Sequence, residues 1–186
     1  MKICQPLVAV TFIAAAVCLA LVPAPAAQTL SILPDSTQVS DGTEFTLEVA
    51  VSGGVTELMG WDIAVTFDSE VLELLSVDEG SLPLLSGYST FFFWYDGVLA
   101  TDSVHVNGAI LGDTVDGPGT LFTLTFKGHA TTDPTVTYVN IGYSLMRTGV
   151  NMDIAHDVEN ARVEILLGVS TEVTSWGAIK SMYAGH

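Results

Sequence analysis

Five consecutive aromatic residues, Phe91-Phe92-Phe93-Trp94-Tyr95, are the richest source of binding chemistry in this chain. In an extended strand they cannot share one core, because alternate side chains go to opposite faces. Either Phe91, Phe93 and Tyr95 or Phe92 and Trp94 must be covered by something else: the loop Pro83–Gly87, the C-terminal segment or a ligand. Phe92 and Trp94 form the candidate surface pair. Exposed aromatics stack on sugar rings and anchor protein interfaces, so polysaccharide and protein both fit as ligands.

Catalysis finds less to work with. His105, His129, His156 and His186 are scattered, with no H-E-x-x-H pattern, and no G-x-S-x-G supplies a nucleophile elbow. Acids abound, yet nothing singles out two of them as a glycosidase pair. Asp153, His156, Asp157 and Glu159 make an acidic loop able to hold calcium, with a solvated turn as the plainer reading. Asp113-Thr114-Val115-Asp116-Gly117 has two carboxylates near a glycine, which is not an EF-hand loop. The expectation is a protein that is not an enzyme and carries no catalytic residues, dedicated metal site or cofactor.

The elements that position these groups begin after residue 26. Lys2, the apolar run Leu7–Leu21 and the small residues Ala24-Pro25-Ala26 read as a signal peptide over 1–26, too short and too soon followed by prolines for a permanent membrane span. Cys4 and Cys18 both lie in that leader, so the exported chain cannot use disulfides and must rely on core burial or bound ions. The leader takes Lys2 with it and no acid. Four basic residues (Lys127, Arg147, Arg162, Lys180) then face 21 acidic ones, one unit more negative than the −16 of the whole chain. Such a surface repels nucleic acid and anionic membranes. Localisation is expected to be secreted, extracellular or at the cell surface.

Turn residues then separate short alternating runs. Thr29–Leu33, Glu44–Val51, Trp61–Phe67, Val71–Val77, Thr90–Tyr95, Ser103–Ile110, Thr120–Lys127, Thr135–Ile141 and Ala161–Leu166 read as strands, with no long helix between 29 and 167. This pattern predicts an all-β, two-sheet sandwich over 29–167. Residues 168–174 read as a linker. In the tail 175–186, Ser175 could cap a short helix with Trp176, Ile179 and Tyr183 on one face, a candidate for docking on the sandwich or on another molecule.

The order of residues carries a further signal. Phe67-Asp68, Leu72-Glu73-Leu74, Val77 and Glu79-Gly80-Ser81 follow one another as an aromatic-Asp strand end, a Leu-Glu-Leu step and an acidic turn. Asp116-Gly117-Pro118-Gly119 then feeds the strand Thr120–Lys127, while Gly42–Val51 and Ala161–Ile165 fit the same layout. In these features the chain resembles the cohesin family across roughly 29 to 167. The resemblance implies a jelly-roll sandwich of about nine strands that binds protein without catalysis, usually a dockerin, a paired-helix calcium module. It also implies that one sheet face receives the partner. Carried over by position, that face would present Asp62, Ala64 and Thr66 from one strand and Ser103, His105 and Asn107 from another. Two other readings stay open: a carbohydrate-binding module of the same fold using the aromatic run, and a cell-surface structural protein sorted by its tail.

Overall fold

The computed structural model describes residues 27–97 and 102–168. The leader, most of the linker and the tail residues Trp176, Ile179 and Tyr183 lie outside them. Among the described residues eleven strands form: β1 (Thr29–Leu33), β2 (Ser36–Ser40), β3 (Glu44–Val51), β4 (Leu58–Thr66), β5 (Leu72–Glu79), β6 (Ser89–Asp96), β7 (Ser103–Leu111), β8 (Gly119–Gly128), β9 (Thr135–Thr148), β10 (Asp157–Glu159) and β11 (Ala161–Leu166). One four-residue helix, α1 (Ser81–Leu84), lies between β5 and β6. The strands make a jelly-roll sandwich, one sheet ordered β10-β1-β3-β8-β5 and the other β2-β11-β9-β4-β7-β6.

Alternation produces this arrangement. Leu47, Val49 and Val51 of β3 and Phe122, Leu124 and Phe126 of β8 point inward from the five-stranded sheet, and Trp61, Ile63 and Val65 of β4 meet them from the other. Every one of these is buried, and each large apolar side chain removed from water contributes about 1.5–3 kcal/mol. Phe126 joins the sheets directly. Its ring stacks on Phe45 at 6.0 Å and meets Phe67, just past β4, edge-on at 5.1 Å. The two stretches that carry the family resemblance therefore touch in the core.

Beyond β4 the chain turns through Asp68, whose carboxylate accepts the Glu70 N–H at 3.0 Å and whose carbonyl accepts that of Leu72 at 2.8 Å. Between β2 and β3 the turn needs Gly42, with φ of +74°, a region open to glycine and costly for most other residues. Its N–H donates to the Gly128 carbonyl at 2.8 Å.

The first two strands switch sheets. β1 pairs with β3 and β10 in one layer, and after Asp35 the chain joins the other layer as β2, parallel to β11. Two strands beyond the nine expected are β2 and β10, both short and polar. β9 also runs on to Thr148 rather than stopping near Ile141, because a bulge against Ala64/Val65 absorbs Gly142 and lets the ladder continue.

Candidate partner-binding face

The outer face of the six-stranded sheet is built from registers. Across β4 and β7, Asp62 opposes Asn107, Ala64 opposes His105 and Thr66 opposes Ser103. Across β4 and β9, Asp62 opposes Leu145 and Ala64 opposes Tyr143. Across β6 and β7, Phe93 opposes Asn107 and Tyr95 opposes His105. Opposed residues share one side of a sheet. Two parallel rows result: Phe93, Asn107, Asp62, Leu145, and beside it Tyr95, His105, Ala64, Tyr143.

His105 ties the rows together. Its Nε2 is hydrogen-bonded to the Asp62 carboxylate, and its Nδ1 lies 3.0 Å from the Tyr95 hydroxyl. A carboxylate only accepts, so the neutral ring keeps its proton on Nε2, and Nδ1 accepts from the Tyr95 O–H. The Tyr95 ring lies 5.1 Å from the imidazole, Tyr143 meets it edge-on at 6.1 Å, and Phe93 sits 5.6 Å from Tyr95. Three strands thus fix one polar centre inside an aromatic rim. His105 is 11% exposed and Asp62 35%.

Asp62, Thr66, His105 and Asn107 lie on this face and are partly open. Ala64 and Ser103 share their strands but are buried, at 0% and 3% exposure. Ala64 carries the smallest side chain of its row, and the His105 and Tyr143 rings close over it from either side. Alternation places a residue on a face, and its neighbours decide whether anything can reach it.

The aromatic run turns the other way from the candidate pair. Phe92 and Trp94 lie on the inner side, opposite Gly108 and the buried Val106. Phe92 is half-buried against the core, so it does not belong to the surface; Trp94, near the strand's end, is 37% exposed. Phe91 and Phe93 are the outward rings, at 53% and 52%. Tyr95 and Tyr143 complete the outer cluster, and Tyr143 lay beyond the predicted end of its strand.

Other candidate groups are spoken for. Asp153 pairs with Arg147 at 2.8 Å, Glu159 accepts from the Ser31 hydroxyl at 2.9 Å, and both ring nitrogens of His156 are engaged, with the Ile154 carbonyl and the Ser144 hydroxyl. Among the described residues no three acids, histidines or cysteines gather as a metal site. An open cleft of about 740 Å³ lies beside His156 and Asp157, lined also by Gln28, Gly53 and Thr56.

Farther across the same face, Arg162 donates to Glu164 at 2.8 Å and Gln38 donates to its other oxygen at 3.1 Å. These two bonds, Arg162 first, hold the Glu164 carboxyl below its ordinary range. A lowered folded-state value favours folding above the unfolded pKa, and that contribution disappears as pH falls through the folded one. Arg162→Met should move the Glu164 titration upward, which carboxyl-detected NMR would follow.

A family model described as the cohesin domain matches residues 30–162. The chain belongs to the cohesin family. No curated protein matches it in sequence. Among solved structures, a non-cellulosomal cohesin from the archaeon Archaeoglobus fulgidus is similar at 17% identity and a TM-score of 0.63, covering 87% of this chain and 100% of that one. A cohesin in a type I cohesin–dockerin complex from Clostridium thermocellum shares 13% identity at a TM-score of 0.63, with 76% and 94% covered. The sixth cohesin of scaffoldin B from Acetivibrio cellulolyticus, in complex with a dockerin, shares 20% at 0.60, with 76% and 99% covered. At such identities the likeness carries the cohesin fold, and no residue roles.

Proposed function

We propose that this cohesin is an exported, non-catalytic module that binds a dockerin-type protein through the outer face of β9-β4-β7-β6. The observation that carries the proposal is the His105 centre. Asp62 and Tyr95 hold the imidazole in one orientation, while Asn107, Phe93 and Tyr143 surround it with amide and aromatic surface. Interfaces with protein partners combine such aromatic anchors with a few fixed hydrogen-bonding groups. The solved relatives bound to dockerins support the partner class.

Calorimetry of residues 27–186 against a panel of calcium-loaded dockerin modules tests this. Binding to at least one is expected, weakened about tenfold or more by His105→Ala and by Phe93→Ala, the loss of a hot-spot side chain being worth more than 1.4 kcal/mol. Binding that ignores both substitutions would place the partner elsewhere. The outward row Phe91, Phe93, Tyr95 favours a second reading, a carbohydrate platform, since successive rings on one strand face suit stacking on a glycan. Retention on insoluble cellulose that is lost in Phe91→Ala, with no dockerin bound, would select it. Sorting to the cell surface by the tail is a further proposal, tested by whether deleting 168–186 releases the protein from cells.

A further inference from the structure

The six-stranded sheet ends at β6, which pairs with β7 and with no other described strand. Its ladder phase follows from one bond: the Gly97 N–H donates to the Ser103 carbonyl at 2.9 Å, one step beyond the Asp96–Val104 pair. Antiparallel pairs exchange bonds at every second residue. Phe91, Phe93 and Tyr95 therefore spend their backbone groups on β7, while Thr90, Phe92, Trp94 and Asp96 aim theirs at the open edge.

The remaining edges are defended in recognisable ways. β5 carries Glu73, Asp78 and Glu79; β10 is three residues long with two acids; β2 is five residues and polar. Charge and shortness are how sheet edges avoid pairing with other chains. β6 has eight residues, a run of five aromatics, neither Lys nor Pro, and a single charge at Asp96.

We propose that β6 is a self-association edge, pairing antiparallel with β6 of a second copy about a two-fold axis through Phe93. This register satisfies three conditions at once. It sets edge-facing residues opposite one another, Phe92 with Trp94 and Thr90 with Asp96. It keeps inner residues with inner and outer with outer, so the two sandwiches continue one sheet. Every pair from Phe91 to Tyr95 is aromatic on aromatic, Phe91 meeting Tyr95 and Phe93 meeting its own copy, and such cross-strand pairs are stabilising. Asp96 faces Thr90, whose hydroxyl donates to the Glu79 carboxylate at 3.0 Å, a like charge that salt screens. A second copy is favoured over a foreign strand because the sequence is complementary to itself in the one phase that the open backbone allows. Two chains of net charge −16 repel elsewhere, so they meet where the edge is nearly neutral, and added salt strengthens the pairing.

Sedimentation velocity of residues 27–186 over a range of concentrations should show a monomer–dimer equilibrium that shifts toward dimer with salt. Trp94→Pro removes an edge donor while leaving the β7 ladder intact, since proline is tolerated where the N–H faces outward. It should give monomer at the same concentrations with an unchanged far-UV spectrum. Cysteine placement tests the register, because the sequence beyond residue 26 contains none. Phe93→Cys sits about 4.5 Å from its mate in a non-hydrogen-bonded pair and should form a disulfide-linked dimer on mild oxidation. Phe91→Cys, about 13 Å from its mate, should not. A monomer at every concentration, a dimer indifferent to Trp94→Pro, or faster cross-linking at Phe91→Cys than at Phe93→Cys would each overturn the proposal.

Discussion

Phe126→Ala is expected to lower the unfolding free energy by about 3–5 kcal/mol, the range for truncating a fully buried Phe. Phe126 is 0% exposed and bridges the two sheets, stacked on Phe45 and edge-on to Phe67. Its removal forfeits the transferred apolar area and opens a cavity that two rigid ladders cannot close. Without cysteines beyond residue 18, no cross-link within the sandwich restrains the unfolded chain in compensation. For a domain whose whole stability is about 5–15 kcal/mol, that loss takes about a fifth or more. Urea denaturation at constant m-value measures it. Phe126→Leu should recover much of the deficit, because it keeps most of the volume.

The second large effect is expected at a residue with no side chain. Gly108 lies in β7 directly beneath the Trp61 indole, and a Cβ built there would stand 1.9 Å from a ring carbon. Trp61 is itself 4% exposed and locked among core residues, so the ring has no free direction to swing. Gly108→Ala should therefore cost about 1–3 kcal/mol through overpacking. A double-mutant cycle gives the decisive readout. Trp61→Leu alone should be costly, yet Gly108→Ala in that background should be far milder than in wild type, a coupling that additive effects would not produce. The same substitution should disturb partner binding, since Asp62 and Asn107 flank this pair in sequence and present the opposite face.

Much of this was legible in the sequence. Strict alternation in Trp61–Val65 and Glu44–Val51 marks one buried row per strand, and Asp41-Gly42 marks the turn that joins β2 to β3. Asp62, His105 and Asn107 fall on one face for the same reason. What escaped prediction has physical causes. β2, Ser36-Thr37-Gln38-Val39-Ser40, offers one apolar residue, and its pairing depends on β11 some 120 positions away. Gly142 reads as a strand end unless the bulge opposite it is known. The five aromatics defeat alternation altogether: both parities are apolar, and only the register with β7 decides that Phe92 turns in and Phe93 out. Tyr143 joined the site from past the expected end of its strand. Ala64 and Ser103 were lost from it because faces follow from the local pattern, whereas exposure is set by strands distant in sequence.

The switch of the first strands between sheets sets how the domain would carry load. Thr29 lies beside Ser52 at one pole, and Leu166 lies beside Asp41 at the other, separated by the length of β3, about 23 Å. Tension drawn through residues 27 and 168 would thus pull β1 and β11 lengthwise in opposite directions. Neither strand could peel away one bond at a time. β1 is held by β3 and β10, and β11 by β2 and β9, so their ladders would have to slide as units. A tethered partner tugging on this module would meet its stiffest axis.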